Sequence, residues 1–456
     1  MTVTYPQCAV VLRIVWEDFG SKSPELQQTY TLELLPQTAN VRLNNYKEAD
    51  EFDISFDYRI FPFDPRVIRA IQVSIHIENM GSLVDNSGKP IRLKPRAPET
   101  GPDHNTVLMG FVDTEEIDLD EDTKTIKLSG RDFTSLYVDI KWTGKALSLA
   151  KPVDQVLKEM VSPLKTTGDI IIDNRTGAAL PILSKVYSDL GEMSGTRNAN
   201  KNETYWDVIQ DIANKAALII FIELDKLVIT SPRVLTNPKE AVNFFYGHNI
   251  KSLSFERKIG RMKGFNVRVR SIIGKDVKVI DIPRQAKNLD IKGKDIEVVR
   301  QNKKGAKVED KEVEKAPFMS FSLSGITDEN ALIASGERIF EELSRQQIEG
   351  RFRTYEMQSF DNYRNIIDLT KIRNGAAVAI EVSPMDMKEM TRVSTKEERA
   401  AYLMSRNYPS AAAVALAENF GRFSTPFYVR DVEMEFAAEK GWSLQVTFIN
   451  RIQVQL

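Results

Sequence analysis

Arg257, Lys258, Arg261 and Lys263 crowd into one short stretch, with Gly260 among them and Gly264 just beyond. Ammonium and guanidinium groups at that density read as a local cationic site, an interface or a channel wall facing a polyanion. Arg268 and Arg270 follow, alternating with Val267 and Val269. Period-two alternation predicts a strand with one cationic and one apolar face. Leu253 and Phe255 show the same period before the glycines, so the stretch reads as a two-stranded ribbon with a basic turn. Phe255 and Phe265 fall with the aliphatic side chains, which assigns them to a core rather than to base stacking. The plainer alternative is a solvated hairpin turn.

Other chemistry is thin. His76, His104 and His248 have no second ligand at metal spacing, and Cys8 is the single cysteine, which argues against a structural zinc site. His76 reads as an outward strand residue, His104 as a loop residue and His248 as a turn residue. The acidic run from Asp113 to Thr123 places Asp118, Asp120 and Asp122 at alternate positions, but lacks the glycine and closing glutamate of a calcium loop. It reads as a solvated hairpin tip. Phosphate-cradling, dinucleotide, zinc-protease and nucleophile-elbow motifs are absent. No catalytic residue, metal or cofactor is assigned, and the expectation is a protein that is not an enzyme.

The elements that must position these residues are mostly strands. At 456 residues the chain is too long for one core. Apolar content of 42%, charged content of 28% and a net charge of −2 fit a soluble folded protein without a global field for nucleic acid or membrane. No apolar run reaches a membrane span, and the N-terminus does not read as a signal peptide. Val10 to Trp16, Phe52 to Ile60 and Ile71 to Ile77 alternate apolar and polar. Residues 81–106 read as a long loop, and Val107 to Val112 and Thr125 to Ser129 as a hairpin. A short helix follows, with Leu136 and Tyr137 inward.

Residues 146–240 read as a small α+β domain. It has a helix after Pro152 (Val153, Val156, Leu157, Met160 and Val161 on one face), and a second capped by Thr204 and Asp207. A hairpin turning at Asp225–Lys226 ends it. After the ribbon, residues 284–315 read as an exposed charged loop. Thr327 to Gln347 reads as a helix stopped by Gly350, then a strand from Phe352 to Phe360. Ala377 to Val382 is a strand, and Thr395 to Phe420 is helical with a break at Pro409. Two strands close the chain, with Asn450 a polar exception on an apolar face. A coarse repeat relates 1–145 to 241–360, giving domains 1–145, 146–240, 241–360 and 361–456.

Several segments resemble the late control D family, the central baseplate hub of contractile phage tails, and the hub half of type VI secretion spike proteins. They are ADEFDISFDYRIFPFDPR, VLMGFVD with LSGRDFTSLYVDIKW, ETYWDVIQDIANKAALIIFIELDKLVITSPR and FYVRDVEMEF with GWSLQVTFINR. FFYGHNIKSLSFERKIGRMKGFNVRVRS is the most specific. The resemblance implies a β-rich α+β fold. Two tail-tube-like antiparallel β-barrel or sandwich domains would be joined by a small α+β domain and a C-terminal β-rich domain.

The same resemblance implies a homotrimeric ring that adapts a six-fold tail tube to a three-fold spike and lines the channel for DNA. Its partners would be itself, a separate central spike, a tube or tube-initiator protein and baseplate wedge components. DNA would be met only in transit, with no stable membrane insertion. Its place would be the virion baseplate after synthesis in the host cytoplasm. Arg257, Lys258, Arg261, Lys263, Arg268 and Arg270 then become interface or channel candidates. The alternatives are a tail-associated cell-wall hydrolase and the hub of a phage-derived contractile injection system.

Overall fold

The structure, a computed structural model, describes residues 6–16, 28–44, 46, 48–60, 68–79, 102–103, 105–120, 124–142, 147–162, 170–186, 196–197, 203–216, 218–231, 240–258, 266–273, 276–282, 288–289, 295–296, 318–322, 332–333, 336–337, 339, 347–382, 395–405, 407–417 and 427–450. Alternation builds the first seven strands: β1 (Pro6–Trp16), β2 (Gln28–Leu34), β3 (Thr38–Leu43), β4 (Glu51–Asp57), β5 (Ile68–Asn79), β6 (Thr106–Leu119) and β7 (Lys124–Asp132). They are antiparallel, in the order β2-β1-β5-β6-β7-β4-β3. Val10, Leu12 and Ile14, Phe52, Ile54 and Phe56, and Ile71, Val73, Ile75 and Ile77 are all buried, because period two sends each set to one face.

Three expectations fail here for local reasons. β4 stops at Asp57 instead of Ile60. The Asp57 carboxylate accepts from Arg59 N at 2.9 Å and holds Tyr58–Ile60 in a 3₁₀ turn, a side-chain bond that competes with the ladder. The acidic run is strand rather than tip: β6 and β7 pair out to Leu119↔Lys124, with Glu116 opposite Lys127. His76 is buried, not outward. Register shifts between Ile75 and His76, and such a bulge re-aims a side chain. The His76 Nδ1 lies 3.2 Å from Asp103 Oδ1 and 3.1 Å from Thr106 Oγ1. His104 lies outside the described residues.

The middle of the chain folds as a unit with its own core. It begins with α1 (Thr134–Asp139), β8 (Leu147–Ser148), α2 (Val153–Val161), β9 (Ile171–Asn174) and α3 (Leu183–Val186). It continues through β10 (Thr196–Arg197), α4 (Tyr205–Lys215), β11 (Ile219–Glu223) and β12 (Lys226–Thr230). The α2 face is the expected one, all five residues buried. Thr204 and Asp207 form a complete capping box on α4. β9 pairs parallel with β12, and β11 antiparallel. The hairpin turns at Leu224–Asp225, one residue earlier than expected, with Glu223 opposite Lys226 and Leu224 at φ 57°. Tyr137, Leu157, Ile209, Ile212 and Leu227 share this core.

The last part returns to strands: β13 (Val242–Phe245), β14 (Ser252–Lys258), β15 (Asn266–Ile273), β16 (Asp276–Ile282), β17 (Asn288–Leu289), β18 (Asp295–Ile296) and β19 (Phe318–Ser322). Then come β20 (Gln347–Thr354), β21 (Gln358–Asp361), β22 (Ile366–Asp368) and β23 (Ala377–Glu381). Helices α5 (Lys396–Ser405) and α6 (Ser410–Ala417) precede β24 (Phe427–Ala437) and β25 (Gly441–Ile449). Gly350 is not a helix stop but an interior residue of β20. The strand expected over 352–360 is split between β20 and β21. Of the helix expected over 327–347, the residues described as helical are 332–333, 336–337 and 339, with Leu332 and Ile339 buried. The 284–315 stretch lies outside the described residues apart from β17 and β18. Asn450 earns its burial through two bonds to Ile348, backbone to backbone at 3.1 Å and side chain to backbone at 3.0 Å.

β24 joins the two ends of the chain. It pairs with β25 and β23, and also with β3, from Val432↔Leu43 to Ala437↔Thr38. One sheet of 15 strands results. Its apolar faces form one continuous core, with Leu12, Phe56 and Ile75 in the same cluster as Phe244, Phe352 and Phe448. Along the seam the Glu433 carboxylate accepts from Asn40 and Arg42 of β3, both at 3.4 Å, and from Gln445 of β25 at 3.0 Å.

Candidate functional site

The six cationic candidates do not form one ribbon. Arg257 and Lys258 lie on β14, opposite Ile348 and Gln347 of β20 in the large sheet. Arg268 and Arg270 lie on β15, which is the middle strand of a separate sheet ordered β16-β15-β19. Arg268 is opposite Asp281, Arg270 opposite Val279. Arg261 and Lys263 fall outside the described residues. Val267 and Val269 are buried, as alternation requires. Leu253 packs on the large core. Phe255 is 37% exposed, with its ring 5.5 Å from Phe448 and 6.1 Å from Phe427. His248 sits in the exposed turn after β13.

A second concentration of charge lies where three parts of the chain converge. A cavity of about 40 Å³ is lined from the β3–β4 connection by Asn44, Tyr46, Glu48 and Asp50, and from the β7–α1 junction by Asp132 and Thr134. Trp206 of α4, Glu223 and Leu224 at the β11–β12 turn, and Arg373 and Asn374 ahead of β23 also line it. Asp132 precedes α1 and binds its first turn: Thr134 N donates to Oδ1 at 3.1 Å and Thr134 Oγ1 to Oδ2 at 2.8 Å. Its own N–H donates to Asp50 O at 2.9 Å. The Asp50 carboxylate accepts from Asn44 N at 2.8 Å.

Arg373 ties the loop ahead of β23 to the junction. Its Nη1 donates to the carbonyls of Thr370 and Ile372 at 2.8 and 2.9 Å, and its Nη2 to Val107 O at 3.2 Å. Its Nε lies 3.8 Å from Glu223 Oε1. Arg175 holds the other Glu223 oxygen, and Asp173 at 2.9 Å. Burial pushes the Asp132 carboxyl up to about 7, against the opposing pull of the Thr134 bonds. Burial raises Asp50 too, and the neighbouring Asp132 charge adds to it. Burial lowers Arg373, opposed by Glu223, Asp50 and Asp368, and a guanidinium stays charged regardless. Tyr46 Oη and Asn374 Oδ1, both on the cavity wall, have no hydrogen-bond partner.

The space has room for a few water molecules and is far below the few hundred Å³ of a ligand pocket. Among the described residues no group of three His, Cys, Asp or Glu side chains could hold a metal ion, and no helix is long and apolar enough to cross a membrane. None of the junction residues was singled out from the sequence. Asp132 carried a signal, an acidic residue just ahead of a helix, and Asn374–Gly375 carried a turn signal. Neither reports burial.

The sequence matches no family model and no curated protein. Solved structures do resemble it. The tail protein from Neisseria meningitidis MC58 aligns with a TM-score of 0.53 at 11% identity, over 97% of this chain and 96% of that one. The 43 kDa tail protein of prophage MuSo2 from Shewanella oneidensis aligns with a TM-score of 0.51 at 12% identity, over 97% of both chains. At such identities the likeness is one of fold, and it runs from end to end: this β-rich α+β chain has the fold of those tail proteins, in keeping with its resemblance to the tail-hub family.

Proposed function

We propose that the chain is a structural subunit of a phage tail, the baseplate hub. In this reading three copies close a ring between a six-fold tube and a three-fold spike, and line the channel for DNA. The observation that carries it is the end-to-end likeness to two tail proteins, in both directions of coverage. The two strand-rich parts, 1–145 and 241–360, are the two tube-like domains, so three chains present six. The α+β part, 146–240, decorates the ring, and 361–456 completes the second half. Head-to-tail contacts must close, since an unclosed rotation gives filaments. The partners are further copies of itself, a spike, a tube protein and wedge components, in the virion baseplate. The hub of a phage-derived injection system would use the same geometry.

Light scattering with negative-stain imaging of the purified chain tests this. A three-fold ring, alone or with its spike, is expected. A chain that stays monomeric with its spike present would sink the reading.

One observation speaks for the hydrolase alternative: a carboxyl titrating near neutrality, as a general acid requires. Against it, the Asp132 carboxylate is engaged by Thr134 and opens onto a space too small for a sugar ring. A peptidoglycan zymogram should show no clearing. Clearing abolished by Asp132→Asn would replace the structural reading with an enzymatic one.

A further inference from the structure

We propose that Asp50 and Asp132 share one proton at the three-way junction, and that this proton locks the α+β unit onto the large sheet. The inference stands apart from the hub reading.

The balance of charge and the supply of hydrogen-bond donors both favour it. Three acidic residues on the cavity wall, Asp50, Asp132 and Glu223, face one guanidinium, Arg373, with Glu48 exposed at the edge. Glu223 already serves Arg175 and Arg373. Arg131, next to Asp132, is engaged by Asp113 at 2.6 Å and Asp139 at 2.8 Å. Lys371 and Asp368 flank the Arg373 loop, and Asp103 bears on Lys371. Among the described residues Arg373 bears on Asp50 and Arg131 on Asp132, but each guanidinium is already shared with other acceptors, and two neighbouring carboxylates in a low dielectric do not both ionise. Asn374 Oδ1 can only accept, and it lacks a donor. A carboxylic acid in the cavity, directly or through a water, provides one. Tyr46, the other unpartnered group, is held from the α+β side, because Gln210 Nε2 donates to Tyr46 O at 3.4 Å and to Ile220 O at 3.1 Å.

The sign follows from linkage. Folding raises the carboxyl affinity for its proton, so the stabilisation is complete below the ordinary carboxylate range and is lost as pH rises through about 7. Ionised, the pair repels itself and Glu223 across the joint between the two cores.

Hydrogen exchange on the full chain, corrected for intrinsic rates, measures opening of residues 205–230 against pH. Between pH 5.5 and 8.5 the opening equilibrium should rise about thirtyfold, since each pH unit below a closed-state pKa of about 7 is a factor of ten. Asp132→Asn keeps an oxygen for Thr134 N and should flatten that dependence, as should Asp50→Asn. In the infrared, a protonated-carboxyl band present at pH 5.5 should vanish by pH 8.5 and be missing from each variant. If Asp132→Asn does not fold, Asp50→Asn decides. A flat wild-type profile, or an unchanged slope in the folded variants, overturns the proposal.

Discussion

Gly350 shows how a residue read for one role in sequence performs another in the fold. It lies in β20 between β14 and β25. An added Cβ would meet Ser254 O and Phe448 Cζ, each at 2.5 Å. Ser254 O is backbone of a paired strand and cannot yield without moving the ladder, while the Phe448 ring would have to shift within the packed core. Gly350→Ala should cost about 1–3 kcal/mol, the range for overpacking, read as a lower denaturation midpoint at unchanged slope. Thr204 is a milder case. Its Oγ1 accepts from Asp207 N at 3.1 Å while the Asp207 carboxylate accepts from Thr204 N at 2.8 Å. Thr204→Ala should lose about 1 kcal/mol by the same measurement.

Among the elements, β24 matters most, because it is paired on both sides by strands from opposite ends of the chain. Met434 is fully buried on it, between Val41 of β3 and Leu444 of β25. Met434→Ala should cost about 2–5 kcal/mol. The loss should appear in thermal unfolding of the strand core as one transition, since Leu12 and Phe448 belong to the same cluster. The α+β unit has its own core and meets the large sheet at the junction and through Met109 and Phe111 of β6. β14 and β15 offer the opposite lesson. They are adjacent in sequence and alike in pattern, yet they pair in different sheets.

For the whole molecule, the cationic residues become a question of assembly. Under the proposed hub reading, charge reversal at Arg257 and Arg261 should weaken ring formation in light scattering and leave the monomer within about 0.5 kcal/mol of wild type, the range for substitutions outside a core. Loss of folding instead would make the basic stretch buried structure. If the proposed hub reading holds, DNA is met only in passage, so affinity should be weak and fall steeply with salt. Tight, sequence-selective retardation in a mobility-shift assay would contradict that.

Much of the fold was legible in the residues themselves. Period-two alternation located β1, β5 and β25, and helical spacing with a capping box located α2 and α4, because these patterns are set by local geometry and by which face meets water. The Pro409 break between α5 and α6 is likewise local: proline lacks the N–H the helix needs. What only the tertiary structure decided is pairing and burial. Alternation says that a strand has two faces but not which strand lies beside it, so the β3–β24 seam and the separation of β14 from β15 could not be read. Nor could the junction. Asp50, Asp132, Glu223 and Arg373 are far apart in the chain, and a carboxylate becomes a proton site only when the fold removes its water and brings a second one near.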